Sequence, residues 1–194
     1  MPTPRPAKPH QAVEVGRVVY LRYPHPRDRE AFVALRAASR EFLTPWEPRP
    51  PEGFDAFGHD QFDYVYKSRR QPAQERLLIF TLAGDVLVGQ ASLGMISRGP
   101  LQSAYMGYWI GAAHAGCGYM TEAVGLMLRH AFGRVKLHRV EANIQPHNAP
   151  SRAVAQKNGF RLEGFSPRYL RIDGEWADHE RWALTEEDWR GRSR

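Results

Sequence analysis

Apolar and polar residues alternate over 13–23 and stop before Pro24, the period of a strand with one buried face. Pro26-Arg27-Asp28 then opens a stretch in which Phe32, Leu35, Ala38 and Phe42 recur at helical spacing, a stripe suited to core packing. Residues 44–53 are rich in proline and predict a loop, and the aromatic-rich 54–67 predicts a second helix. The runs 76–83 and 86–96 flank Gly84-Asp85, where positive φ costs little, and so pair as a hairpin. A turn at Arg98-Gly99-Pro100 leads to a third antiparallel strand at 103–110. From there the pattern changes: helix 120–132, strand 139–143, helix 149–158, strand 161–166. Strands and helices in that succession require right-handed crossovers and a partly parallel sheet. A last hairpin turns at Asp173-Gly174 and returns through 182–185.

At 194 residues without an internal repeat, the chain is expected to be one domain, 12–194, behind a proline-rich arm, 1–11, that suits neither helix nor central strand. One cysteine excludes an internal disulfide framework and fits a reducing compartment. No apolar run approaches the roughly 18 to 20 residues of a membrane span, and the first residues lack the apolar core of a secretory signal. A cytoplasmic protein with no membrane partner is expected. The net charge of +6 and pI near 9.7 favour acidic partners, a phosphorylated cofactor or a ribonucleoprotein surface. Yet arginines and acids interleave through 168–187 and no RNP, KH or zinc-finger signature occurs, so direct nucleic-acid binding is not expected. The eight histidines show no metal-ligand spacing, and no metal is expected.

The chemistry concentrates where the third strand ends. In the run from Trp109 to Ala123 a strand breaks into the glycine turn Gly116-Cys117-Gly118 and restarts as a helix. Glycines let the backbone approach a ligand closely, and the helix aims free N–H groups and its positive end at the same place, a setting for an anion. No Gly-Lys-Ser/Thr follows, which excludes a Walker loop, and the third glycine of a dinucleotide fingerprint is missing. On these residues alone an ordinary strand-to-helix turn is an equal reading. Cys117 stands where a helix end lowers a thiol pKa, but a covalent mechanism needs a base, and His114 is the only sequence-local candidate.

A second segment, Asn143 to Phe160, contains Asn148-Ala149-Pro150-Ser151 and ends Gly159-Phe160. Together the two segments resemble the acetyl-CoA site of the GNAT (GCN5-related) N-acetyltransferases, whose pyrophosphate loop reads Gln/Arg-x-x-Gly-x-Gly/Ala and whose next helix begins Asn-x-x-Ser/Ala. The resemblance covers about 15 to 189. It comes nearest to the RimJ type, the ribosomal-protein alanine N-acetyltransferases, at Gly107-Tyr108-Trp109, Met120 to Ala123, Asn148 to Ser151 and Asp173 to His179. It implies an α/β (α+β) fold: a mixed, largely antiparallel sheet of six to seven strands, helices on both faces and a splayed pair of central strands. It also implies acetyl-CoA as co-substrate and, as acceptor, the N-terminus of a protein, an alanine of a small-subunit ribosomal protein.

Carried over residue by residue, the resemblance assigns the pyrophosphate to the main-chain N–H groups of Gly116, Cys117, Gly118, Tyr119 and Met120, with Thr121 adding a hydroxyl or a cap. Ala115 stands at the usual Gln/Arg position and Cys117 where Lys or Arg is common. Each lost charge-assisted contact is worth roughly 1.5–3 kcal/mol, and Arg152 or Arg129 is a candidate to compensate. The pantetheine would pair with the strand edge at Tyr108, Trp109 and Ile110, facing Glu141-Ala142-Asn143, with Asn148 hydrogen-bonding it, capping the helix at Ala149, or both.

Transfer from a thioester to an amine needs a neutral amine, an oxyanion donor and a proton for the leaving thiolate. An α-amine of pKa about 7.7–8.0 needs less help than a lysine near 10.4. Many family members use a tyrosine as proton donor, but the matching position here is Ala155, and the role passes by resemblance to Ser151, which is otherwise a helix-capping serine. Glu141 is the candidate base, or else a structural ion-pair partner. Trp46, Phe54, Tyr108, Tyr169, Asp178 and His179 are candidate acceptor-side residues, each with a packing or turn role as the alternative. Two other readings stay open: a small-molecule amine acetyltransferase, for a polyamine or antibiotic, and a non-catalytic ribosome- or RNA-binding factor on the same fold.

Overall fold

A computed structural model describes residues 11–192. All of the expected arm except Gln11 therefore lies outside the described residues, as do 193–194. The elements in chain order are β1 (Glu14–Val15), β2 (Val19–Arg22), α1 (Arg29–Ala38), α2 (Arg40–Leu43), α3 (His59–Lys67), β3 (Arg70–Gln71), β4 (Gln74–Thr81), β5 (Leu87–Ser97) and β6 (Ser103–Ile110). The second half follows with α4 (Tyr119–His130), β7 (Arg139–Ile144), α5 (Ala149–Lys157), β8 (Arg161–Ile172), β9 (Glu175–Thr185) and α6 (Glu186–Arg192). Nine strands form one sheet in the order β1-β2-β4-β5-β6-β7-β9-β8, with β3 also paired to β4. This is an α/β sheet with helices on both faces, antiparallel except at β6–β7.

Two hydrophobic layers result. On one face Met120, Val124, Met127 and Leu128 of α4 and Ala155 of α5 pack on Val88, Leu93, Val140, Ala142 and Trp182. On the other, Phe32 of α1 and Phe62 and Val65 of α3 cover Tyr20, Leu78, Phe80 and Leu87. In β7 the alternation sends Val140, Ala142 and Ile144 into the α4–α5 layer and leaves Arg139, Glu141 and Asn143 on the opposite face.

Several elements differ from the sequence pattern. The strand expected over 13–23 is a hairpin, β1–β2, turned by Gly16 to Val18. A Cβ at Gly16 would stand 2.7 Å from Cδ of Glu122, whose carboxylate accepts hydrogen bonds from the N–H groups of Arg17 (2.6 Å), Val18 (2.9 Å) and Val19 (3.0 Å). The helix expected through Phe42 breaks at Ser39, whose Oγ accepts from the N–H of Ala112. The break turns the stripe, so Phe32, Arg36, Ser39 and Leu43 are buried while Ala38 and Phe42 are exposed. The helix expected from residue 54 starts at His59 after a Gly58 cap. The sheet exceeds six to seven strands because β1 and β3, two residues each, are too short to leave a period. Both glycine hairpins fall where expected, with positive φ at Gly84-Asp85 and Asp173-Gly174. Among the described residues no helix is long and apolar enough to cross a membrane.

Glu122 joins the first turn of α4 to the start of the sheet, so Glu122→Ala is expected to destabilise the fold by about 1–2 kcal/mol in urea unfolding. That is the low end for bonds to a charged group, because two of the three N–H groups can rehydrate.

Candidate active site

The parallel ladder between β6 and β7 holds only three pairs, Ser103 with Arg139, Ala104 with Val140 and Tyr105 with Glu141. Past Tyr105 the strands part. β6 stays bound to β5 as far as Ile110, and β7 stays bound to β9 as far as Ile144, so neither needs the other for its remaining hydrogen bonds. The wedge between them opens into a cavity of about 480 Å³ walled by Gly107 to Ile110 on one side and Ala142 to Gln145 on the other. Its floor is Met106, Met120 and Val154, and Phe42, Leu43 and Trp46 stand at its mouth. The β6 edge that faces the wedge has no strand partner there, so a ligand with amide groups can complete the ladder.

At one end of the wedge lies the glycine turn. Gly116 and Gly118 have φ of +77° and +80°, and Gly118 is the cap from which α4 starts. A Cβ at either would meet nothing within 4 Å, so backbone conformation and not space demands glycine here. Among the described residues no hydrogen bond engages the N–H groups of Gly116, Cys117, Gly118, Tyr119 or Met120, and the positive end of a twelve-residue helix stands behind them. The cradle fits a diphosphate. Ala115 and Gly116 line the cavity, while Cys117 is exposed with its Sγ 3.7 Å from the Ala115 carbonyl. Neither arginine offered as a compensating charge serves: Arg129 sits in the last turn of α4, about 15 Å along the axis, and pairs with Glu14, and Arg152 pairs with Glu180 at 2.9 Å. An anion in this cradle would meet main-chain amides and the helix dipole.

α5 forms the next wall. The Asn148 side chain accepts from the Ser151 N–H at 3.1 Å, which is the capping role, and Asn148 also lines the cavity. Tyr108 donates its hydroxyl to the Ser151 carbonyl at 3.1 Å, joining β6 to α5 across the wedge. Burial pushes the Tyr108 phenol up to about 12, against a smaller lowering from the Ser151 side chain, so it stays protonated and serves as a strut. Asn158 at the far end of α5 donates to the Thr121 carbonyl at 3.1 Å, fixing α5 against the start of α4. Ser151 lies between these struts and lines the cavity.

The other sequence candidates divide. Trp46 lines the cavity and packs its ring 5.2 Å from that of His147. His179 is buried and lines the cavity too. Asp178 does not: its carboxylate accepts from the Arg168 N–H at 2.7 Å in the bulged part of the β8–β9 edge. Glu141, expected at the thioester end, belongs to the last closed pair of the ladder and is bound by Arg139 at 2.8 Å, which also holds Glu163. The wedge opens one residue after it, and the ion-pair reading is the one its geometry fits. Phe54 and Tyr169 lie outside the cavity lining, Tyr169 with its hydroxyl 3.5 Å from that of Tyr105.

The sequence pattern missed Arg36 altogether, and named Asn143 only as part of the facing strand. Arg36, 1 % exposed, makes paired hydrogen bonds to Glu47 at 2.6 and 2.7 Å, donates to the Ala56 carbonyl and stacks near Trp109. It anchors the proline-rich loop over the mouth, and a helical spacing of arginine among apolar residues gave no signal for that. Asn143 lines the wedge with its Oδ1 buried and unpartnered among the described residues.

A nucleotide-sized wedge between splayed strands, closed at one end by a glycine turn and helix, defines an acyl-CoA site. Comparison with known proteins gives the family: the model of the Acetyltransferase (GNAT) domain matches residues 19–161. The chain belongs to the GNAT acetyltransferases and is an N-acetyltransferase whose acyl donor is acetyl-CoA. It is 32% identical over 171 residues to [Ribosomal protein uS5]-alanine N-acetyltransferase of Escherichia coli (strain K12), covering 87% of this chain and 88% of that one. It is 36% identical over 175 residues to the Bacillus subtilis (strain 168) protein named Probable N-acetyltransferase YjcK, with 89% and 97% covered. Among solved structures, Mycobacterium smegmatis RimJ in complex with CoA-disulfide superposes with a TM-score of 0.81 at 37% identity, over 88% of this chain and 85% of that chain.

Gly118→Glu puts a side chain at φ +80° and a negative charge in the anion cradle. Because the space around it is open, the variant is expected to fold and to lose acetyl-CoA binding, as titration calorimetry would read. Retained affinity would remove the cradle from the cofactor site.

Proposed function

We propose that this enzyme acetylates the α-amino group of a protein N-terminus, an alanine of a small-subunit ribosomal protein in the first instance. The observation that carries the reading is the electrostatic character of the wedge. Among its lining residues the one carboxylate is Glu47, and Arg36 already occupies it. A polyamine carries several charges and calls for free carboxylates, and a lysine near pKa 10.4 calls for a strong base. An α-amine of about 7.7–8.0 is partly neutral at pH 7 and needs neither. The apolar mouth of Phe42, Leu43 and Trp46 suits a small first side chain. The likeness to the uS5-alanine enzyme and to RimJ supports the same acceptor class. This reading puts the protein in the cytoplasm, with acetyl-CoA and a ribosomal protein as its partners.

In this reading the free N–H groups of residues 116–120 hold the pyrophosphate, with Thr121 in the same first turn of the helix. The β6 edge at Trp109 and Ile110 pairs with the pantetheine, and the Ser151 hydroxyl supplies the proton that ends on the thiol. Tyr108, held near pKa 12 and committed to the Ser151 carbonyl, is the poorer donor.

Acceptor screening with acetyl-CoA tests the reading. An alanine-starting peptide should turn over, and spermidine or an aminoglycoside should not; the reverse result overturns the protein acceptor. Ser151→Ala is expected to lower kcat on that peptide about 100-fold with little change in acetyl-CoA affinity. An unchanged kcat would take Ser151 out of the chemistry.

A further inference from the structure

The acceptor side of the wedge contains two neutral hydrogen-bond acceptors with nothing to accept among the described residues. Asn143 stands opposite Arg181 in the β7–β9 ladder, so its side chain shares a face with Arg181 and with His179 two residues along, the face of α1 and the Trp46 loop. That diagonal places the two residues about 7–8 Å apart at Cα, within reach of one group held between them. Among the described residues Asn143 Oδ1 is buried and unpartnered, and such an atom in a cavity wall is placed to accept from a ligand. His179 Nδ1 lies 3.0 Å from the Ala177 carbonyl, which can only accept, so Nδ1 carries the hydrogen and Nε2 of the neutral ring presents a lone pair. No hydrogen bond among the described residues takes up Nε2.

Resting on the α-amine reading, we infer that Asn143 Oδ1 and His179 Nε2 form the receptor for the acceptor's ammonium group, and that His179 is the base that takes its proton. The ammonium gives one proton to Nε2. The freed amine forms the C–N bond to the acetyl carbon as the C–S bond breaks. A second N–H proton ends on the departing sulfur by way of the Ser151 hydroxyl, which gives one proton and regains one. His179 then releases its proton to solvent, so amide, thiol and one proton are the products.

The surroundings suit a neutral histidine. Burial holds its imidazole below the ordinary value, against smaller opposite effects from the Ala177 carbonyl and the Asp178 charge, and His147 adds to the lowering. Tyr169 of β8 faces the ring at 6.0 Å and Arg181, two residues along the same face, reaches across to Gly164 of β8, while Glu180 points to the other face and is bound by Arg152, and Glu47 across the mouth is bound by Arg36. A histidine base lies closer to an α-ammonium of about 7.7–8.0 than to a lysine ammonium near 10.4, so the same residue supports selectivity for chain termini.

The test is the pH dependence of kcat/KM for an alanine-starting peptide. The wild type should show a limb that rises with pH through an ionisation below 6.5, where His179 loses its proton. His179→Gln should lose that limb and about 100-fold in rate at pH 7, its remaining activity climbing with the free-amine fraction. Asn143→Ala should raise peptide KM several-fold more than it lowers kcat. Acetyl-CoA affinity, measured by calorimetry, should be unchanged in both and reports the fold. A wild-type profile without the limb, or a His179→Gln profile that keeps it, overturns the inference. Failure of the α-amine reading is seen separately, in a wild-type screen where only small amines turn over.

Discussion

The structure depends on an incomplete hydrogen-bond ladder. β6 and β7 pair for three residues and then separate, each kept in the sheet by its other neighbour, and every functional group described above is placed by that separation. Backbone polar groups inside a protein are otherwise satisfied almost without exception, so a strand edge left open in the middle of a sheet is a binding surface. The helices complete it. α4 begins at the wedge because β6 ends there, and the Glu122 contacts to the β1–β2 turn hold that helix start against the sheet. α5 spans the other side, tied to β6 by Tyr108 and to α4 by Asn158.

The charges near the site are mostly paired with one another. Arg36 holds Glu47, Arg139 holds Glu141 and Glu163, and Arg152 holds Glu180. The groups left uncommitted are neutral: amide N–H donors and a helix dipole at the glycine turn and, in the proposed reading, an amide oxygen, a hydroxyl and an imidazole on the acceptor side. Ala115 and Cys117, where relatives of this kind often carry Gln, Arg or Lys, belong to the same design, since binding by preorganised backbone donors needs no side-chain cation. The net charge of +6 is therefore not concentrated in the site and acts as a property of the whole surface.

The sequence by itself determined the local devices. Glycines at 84, 116, 118 and 174 marked their turns because only a backbone with positive φ passes there, Asn148 marked a cap because its side chain can reach the N–H three residues on, and the periods of 2 and 3.6 located the longer strands and helices. Those features need only neighbours in the chain, and together with the family motif they were enough for the fold class and for acetyl-CoA as co-substrate. Tertiary structure alone decided the partners. That Glu141 falls in the last closed pair and Asn143 in the open wedge is a matter of where two strands stop pairing, which the alternation along β7 does not encode. Likewise the burial of Arg36 under the mouth loop, the turn of the α1 stripe at Ser39, and His179 inside the cavity with Asp178 outside it are set by contacts between residues far apart in sequence. Period and propensity contain no term for those contacts, because the energy that fixes them exists only once the layers have packed.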